Sequence, residues 1–220
     1  MNSGEVQKVD LEWRGGVPIS TRFDDPYFSL NDGLAETRHV FLDGNNLPTR
    51  FCEGFHIAEL GFGTGLNLLT AWKAWEEAGM TTPLRFTSFE AYPLAADEMA
   101  KALAVWPELA EYAARLEGVR DLQTPTLDLR VVIGDARQTL KDWDGAADAW
   151  FLDGFSPAKN PELWSAEIMG EVGRHTKSEG SFATYTAAGH VRRGLEAAGF
   201  AVTRTAGFGH KRHMSIGKLR

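Results

Sequence analysis

Residues 55–67 read F-H-I-A-E-L-G-F-G-T-G-L-N, and few backbone paths accommodate that order. Phe55 to Leu60 is a short apolar run of the kind that forms a buried strand. Glycines follow at 61, 63 and 65, and Leu66, Leu69, Trp72 and Trp75 then recur at helical spacing up to about Ala78. A strand, a glycine turn and a helix in that order make a site for a nucleotide-like ligand. Glycine lets the ligand approach the backbone, and the helix N-terminus offers unpaired N–H groups. A dinucleotide fingerprint is excluded, because G-x-G-x-x-G would place its third glycine where Leu66 stands. A Walker loop is excluded too, since no Gly-Lys-Ser/Thr follows.

What remains, G-x-G-x-G with Glu59 just before it, is the pattern of S-adenosylmethionine (SAM) sites; a plain glycine-rich turn is the competing reading. The following strands supply matching groups. Arg85 to Glu90 alternates and ends in an acid, and an acid beyond the carboxyl end of a parallel strand can accept hydrogen bonds from ribose hydroxyls. Leu129 to Ile133 runs into Gly134-Asp135-Ala136, where Asp135 can take an adenine amino group and the Ala136 N–H can meet the ring. Asp148 to Leu152 is a fourth strand, with Asp153 at its end. The loop after it, G-F-S-P-A-K-N-P-E-L-W, holds two prolines, and a helix is expected to start near Pro161-Glu162. Strands at Gly180 to Tyr185, Phe200 to Thr205 and His213 to Leu219, with a helix over Ala188 to Ala198, complete the pattern.

The predicted fold is therefore α/β: a Rossmann-like class I SAM-dependent methyltransferase, with seven strands, mostly parallel, and helices on both faces. One domain is expected over 1–220, with a core from about 51 and an N-terminal extension over about 1–50. In the extension, Val9 to Trp13 and Val17 to Ile19 flank a glycine turn as a β-hairpin. Asp24-Asp25-Pro26-Tyr27-Phe28-Ser29 and a short helix over Leu34 to Phe41 follow, and the segment is expected to fold over the ligand as a lid, with Tyr27 and Ser29 covering it.

Composition bounds the setting. The 220 residues suit one domain. No run approaches the ~18 apolar residues of a membrane span, and Met1 to Asp10 is unlike a signal peptide. The single cysteine, Cys52, cannot form an internal disulfide and reads as a small buried or half-buried filler; a reducing cytoplasm fits. The net charge of −7 is unevenly spread: residues 1–173 hold 14 Lys/Arg against 28 Asp/Glu, and residues 174–220 hold 9 against 2. A basic end on an acidic body can hold a phosphate backbone locally; a solvated basic face is the alternative. His210 and His213 form an H-x-x-H without a third ligand, so no metal is expected.

Several stretches together resemble the methyltransferase domain of the MnmC family, the tRNA 5-methylaminomethyl-2-thiouridine biosynthesis proteins. They are residues 25–29 (D-P-Y-F-S), 33–41 (G-L-A-E-T-R-H-V-F), 44–47 (G-N-N-L), 59–67 (E-L-G-F-G-T-G-L-N), 153–161 (D-G-F-S-P-A-K-N-P) and 207–212 (G-F-G-H-K-R). The resemblance spans nearly the whole chain, and the run at 153–161 is its most specific part. It implies methyl transfer from SAM to the exocyclic amine of 5-aminomethyl-2-thiouridine at the tRNA wobble position. Bifunctional members carry a second, FAD-dependent oxidase domain. This chain resembles the free-standing form, so oxidase activity is not expected; a separate enzyme or pathway is one source of the aminomethyl uridine, and the residues leave that source open.

The expected cofactor contacts are Tyr27, Ser29, Glu59, Gly61, Phe62, Gly63, Thr64, Gly65, Asn67, Glu90, Asp135, Ala136 and Asp153. Asp153 is also the expected catalytic group, orienting the amine and accepting a proton. Lys159, Asn160 and Trp164, with Lys211 and Arg212, are the expected substrate contacts, by stacking, hydrogen bonding and charge. Two other readings stay open from the residues: a methyltransferase for a small-molecule amine, and a non-catalytic SAM- or tRNA-binding module.

Overall fold

The computed structural model describes residues 10–116 and 118–220; Val9 of the expected hairpin lies outside them. The chain opens with three short antiparallel strands, β1 (Leu11–Arg14), β2 (Val17–Ser20) and β3 (Asp25–Pro26). Helix α1 (Gly33–Thr37) is capped by Asp32, whose side chain accepts from the Ala35 N–H, and it runs directly into a π-helical turn over Arg38–Leu42. The core then alternates strand and helix: β4 (His56–Leu60), α2 (Leu66–Glu77), β5 (Leu84–Glu90), α3 (Ala96–Leu103), α4 (Ala110–Leu116), β6 (Asp121–Gln123), β7 (Leu127–Ile133), α5 (Ala136–Thr139), β8 (Ala147–Leu152), α6 (Ala166–Arg174), β9 (Thr176–Thr184), α7 (Gly189–Ala197), β10 (Phe200–Ala206) and β11 (His213–Leu219).

The main sheet has the order β10-β11-β9-β8-β4-β5-β7-β6. Its five central strands, β9, β8, β4, β5 and β7, are parallel, and β6, β11 and β10 are antiparallel to their neighbours. The sheet thus has eight strands, one more than the sequence pattern suggested: β6 is three residues of mixed polarity on the edge, too short to show a period. The hairpin of the extension gains a third strand, β3. Helix α6 begins at Ala166 rather than near Pro161, because Ser165 supplies the cap by accepting from the Ile168 N–H. Cys52 is exposed, on the turn before β4, and so is not a packing filler. Among the described residues no helix is long and apolar enough to cross a membrane.

The period-two alternation of the parallel strands divides the core. Ile57, Phe86 and Phe151 face one side, where they meet Trp72 and Trp75 of α2 and Leu34, Val40 and Phe41 of the extension. Ala58, Leu60, Trp150 and Leu152 face the other, against Trp143, Ile168, Met169, Val191 and Leu195. The extension is therefore part of the core on one face.

Arg50 fastens that join. Its guanidinium donates to the carbonyls of Asn45 at 3.0 Å and Asp148 at 2.9 Å, and to the Ser181 hydroxyl. Replacing Arg50 with Ala strands three acceptors and is expected to cost about 2–3 kcal/mol in urea denaturation, with Arg50→Lys recovering less than half, because an ammonium lacks the planar fork. A loss below about 0.5 kcal/mol would show that the extension is held by packing alone.

Candidate active site

The carboxyl ends of the parallel strands converge on one cleft, the place where open α/β sheets receive ligands. The ladder continues past the strand ends: the Gly61 N–H donates to the Phe89 carbonyl, the Gly134 N–H to Glu90 and the Asp153 N–H to Leu60. The turns after β4, β5, β7 and β8 are thereby fixed relative to one another. The cleft encloses about 470 Å³, within the range of small-molecule sites.

Gly61 and Gly63 are required for reasons internal to the chain. Gly61 has φ +84°, and a Cβ there would lie 3.1 Å from the Gly154 Cα. Gly63 has φ +53°, and a Cβ there would lie 3.1 Å from Cδ1 of Tyr27. The glycine turn is pressed by the loop after β8 on one side and by the extension on the other, so its bareness serves the fold before any ligand arrives.

Three carboxylates at the strand ends, Glu90, Asp135 and Asp153, line the cleft, and a fourth, Glu59, lies beneath them; the four are in different states. Glu90 accepts from the Gly63 N–H at 2.9 Å and the Tyr92 N–H at 2.7 Å. Phe62 and Ala91 add backbone donors to the same carboxylate, which lines the cleft. Burial raises its pKa, with those backbone donors opposing. Asp153 accepts from Asn67 Nδ2 at 2.8 Å and from the Gly154 N–H at 2.8 Å. Burial pushes it up to about 6 against those hydrogen bonds and the nearby Lys211, while Glu36 adds to the rise. Glu59 is wholly buried and is raised well above the usual carboxylate range by desolvation. Asp135 accepts from the backbone N–H and the guanidinium of Arg137, which hold it low.

Most of the expected cofactor contacts meet here: Tyr27, Ser29, Gly61, Gly63, Thr64, Asn67, Glu90, Asp135, Ala136 and Asp153 line the cleft, with Asn160 and Lys211 from the expected substrate set. Others do not reach it. Glu59 lies beneath the floor, bonded to Asn67 and Ser88. Phe62 packs into the core with Met99 and Leu116, and Gly65 serves as the left-handed N-cap of α2.

Trp164 is also buried, 1% exposed, with its indole N–H donating to the Phe155 carbonyl at 2.8 Å. It braces the loop and cannot stack on a substrate. Lys159 turns away to the Asp24 carbonyl and the carboxylates of Asp24 and Asp25, tying the loop to the extension. Arg212 stands exposed at the rim, outside the cleft lining. Sequence reasoning missed Glu36, Thr37 and Tyr185. Tyr185 follows β9 and donates to the Gly154 carbonyl at 2.9 Å; Lys211 Nζ lies 2.8 Å from Glu36 and 4.2 Å from the Tyr185 ring centroid. The position of Tyr185 at a strand end was the available signal. Among the described residues no cluster of three or more His, Cys, Asp or Glu could hold a metal ion.

A parallel sheet whose glycine turn, strand-end acids and apolar wall (Leu163, Ile168) surround one cleft is the cofactor site of a class I methyltransferase. The profile described as S-adenosyl-L-methionine-dependent methyltransferase matches residues 98–220, and the chain belongs to that family. The bifunctional protein named tRNA 5-methylaminomethyl-2-thiouridine biosynthesis bifunctional protein MnmC from Chromohalobacter salexigens is 45% identical over 96% of this chain and 33% of its own length. The protein of the same name from Chromobacterium violaceum is 45% identical over 95% and 34%. The chain thus spans about a third of the curated relatives it matches. A crystal structure titled MNMC2 from Aquifex aeolicus superposes with a TM-score of 0.80 at 26% identity, covering 99% of this chain and 72% of that one.

SAM is the methyl donor of the family, and the cleft's size, bare backbone, strand-end carboxylates and apolar wall fit it. In a folded Gly63→Val protein, displacement of Tyr27 and strain at a positive φ are expected to weaken SAM binding at least about tenfold by calorimetry, equivalent to about 1.4 kcal/mol. Unchanged affinity would show that the glycine turn is not part of the SAM site.

Proposed function

We propose that this chain methylates the exocyclic amine of 5-aminomethyl-2-thiouridine at the wobble position of a tRNA, giving the 5-methylaminomethyl product, in the cytoplasm. The observation that carries this reading is Asp153, a carboxylate fixed at the end of β8 with one face on the cleft. The names of the relatives that match nearly the whole chain support the RNA substrate.

Bound SAM supplies a methyl group made electrophilic by its sulfonium. Glu90 holds ribose hydroxyls, Asp135 and Ala136 meet the adenine, the turn at Gly61 to Thr64 follows the chain of the ligand, and Tyr27 and Ser29 cover it. The amine nitrogen forms the new C–N bond as the C–S bond breaks, and the sulfur leaves with that electron pair. The amine must reach its neutral form before attack and lose a further proton after it. Asp153 aims the lone pair by accepting an N–H and takes a proton as carboxylate. Asn160 and Lys211 border the side from which the uridine enters.

The rim supports RNA binding by a chain of net charge −7. Antiparallel pairing of β10 and β11 brings the 207–212 turn to the same end of the sheet as the cleft, and α7 begins there too. Four of the nine C-terminal cations are ion-paired: Arg174 to Glu171, Lys177 to Asp148, Lys211 to Glu36 and Lys218 to Glu179. Arg192, Arg193, Arg204 and Arg212 form no ion pair among the described residues, so the phosphate-binding set is narrower than charge alone suggested.

Two outcomes test this reading. Asp153→Ala is expected to slow single-turnover methylation of tRNA by about 10²- to 10⁴-fold with SAM affinity kept, and Asp153→Asn to share most of the loss. In the wild type the rate falls as pH drops through about 6, where the carboxylate protonates. Near-wild-type turnover in both variants would remove Asp153 from the reaction. Neutralising Arg192, Arg193, Arg204 and Arg212 is expected to weaken tRNA binding and flatten its salt slope by about 0.7–0.9 for each phosphate that no longer meets a cation; an unchanged slope would place the RNA elsewhere.

A further inference from the structure

Asn67 sits in the first turn of α2, 6% exposed, and its whole amide is engaged within the protein. Nδ2 donates to Asp153 Oδ2 at 2.8 Å and to Glu59 Oε1 at 2.9 Å, and Oδ1 accepts from the Thr37 hydroxyl at 3.0 Å. Thr37, at the end of α1, is 4% exposed. This pattern fixes which way the amide faces. A flip would set Oδ1 against the Asp153 carboxylate, whereas the Thr37 hydroxyl, which can donate or accept, would tolerate either face of the amide. The other oxygen of Glu59 accepts from the Ser88 hydroxyl at 2.6 Å, so the chain Ser88–Glu59–Asn67–Asp153 is closed at its buried end.

We infer that Asn67 is the positioning residue of the methyl-transfer step, holding one oxygen of Asp153 so that the other faces the amine, and that the Thr37 hydroxyl, bonded to the far end of the same amide, holds Asn67 in place for this. The inference rests on Asp153 acting on the amine, as proposed above. It also assigns the extension a task inside the reaction: α1 delivers Thr37 to the back of the site while the strands before it cover the front.

The surroundings of Asp153 leave the amide a distinct job. Glu36 of α1 opposes its ionisation, Asp153 in turn helps to raise Glu59 of β4, Tyr185 after β9 and Asp25 of β3 stand around the same cavity, and Lys211 is the cation that favours the charged carboxylate. Lys211 is itself engaged with Glu36. The Asn67 amide and the Gly154 N–H are the hydrogen-bond donors that stabilise the carboxylate directly, so removing the amide leaves Asp153 harder to ionise.

The test follows the Asp153 carboxyl carbon by ¹³C NMR through a pH titration of the ligand-free protein, alongside the pH dependence of single-turnover methylation. Asn67→Ala is expected to move the Asp153 titration upward by about one pH unit. Thr37→Val, which keeps the shape and loses the hydroxyl, moves it in the same direction by less, and Thr37→Ser restores it. The acid limb of the rate moves with the NMR titration. If the titration moves while the rate profile stays put, Asn67 positions Asp153 as inferred, and it is the proton-accepting role of Asp153 that fails. If Asn67→Ala and Thr37→Val both fold and leave the Asp153 titration unmoved, the inference is overturned. A Thr37→Ser protein displaced as far as Thr37→Val would overturn the part assigned to the hydroxyl.

Discussion

The site depends on how closely the ends of β4 and β8 approach one another. Leu60 and Asp153 are joined by a backbone hydrogen bond of 3.2 Å, and one residue further on Gly61 and Gly154 lie almost in contact. A Cβ on Gly61 would press on the Gly154 backbone, and Gly61 also holds a positive φ. This approach sets the glycine turn and the carboxylate of Asp153 on opposite walls of one cleft. Widening it by a single methyl group would move the glycine turn away from Asp153.

The extension stabilises that geometry from outside. Phe23 stacks on Phe155 at 4.6 Å and Tyr27 meets the same ring edge-on at 5.1 Å. Asp25 accepts from the Ser156 N–H at 2.8 Å, and Lys159 reaches back to Asp24 and Asp25. The irregular loop after β8 is held between the extension and the buried Trp164. These contacts describe a fixed cover joined to the loop it protects. Lys159 and Trp164, whose chemistry suits gripping a substrate, instead keep the loop in one shape.

Much of this was legible in the sequence because it rests on local rules. A buried strand followed by glycines at 61, 63 and 65, and acids at strand ends, follow from backbone sterics and sheet topology, and Glu90, Asp135 and Asp153 all reach the cleft. What the sequence hid depends on pairing across long separations. Glu59 stands beside the glycine turn in the chain, yet strand alternation turns it under the floor, where Asn67 and Ser88 satisfy it. Lys159 shares a loop with Asp153, but its partner Asp24 is 135 residues away; Trp164 bonds within its own loop, to Phe155, and is hidden instead by its burial. Thr37 and Glu36 enter the site only because α1 packs against α2, and no local period reports that. Summed charge likewise overstated the basic end, since ion pairs with Glu36, Asp148, Glu171 and Glu179 become visible only in three dimensions.

The most direct measurement is transfer of label from methyl-labelled SAM, offered in parallel to tRNA bearing 5-aminomethyl-2-thiouridine, to the same tRNA with an unmodified wobble uridine, and to free primary amines. Label is expected in the first alone, with nuclease digestion placing it in a single 5-methylaminomethyl nucleoside. Equal labelling of free amines, or no labelling of the modified tRNA by protein that binds SAM, would contradict the assignment of this cleft to the wobble amine.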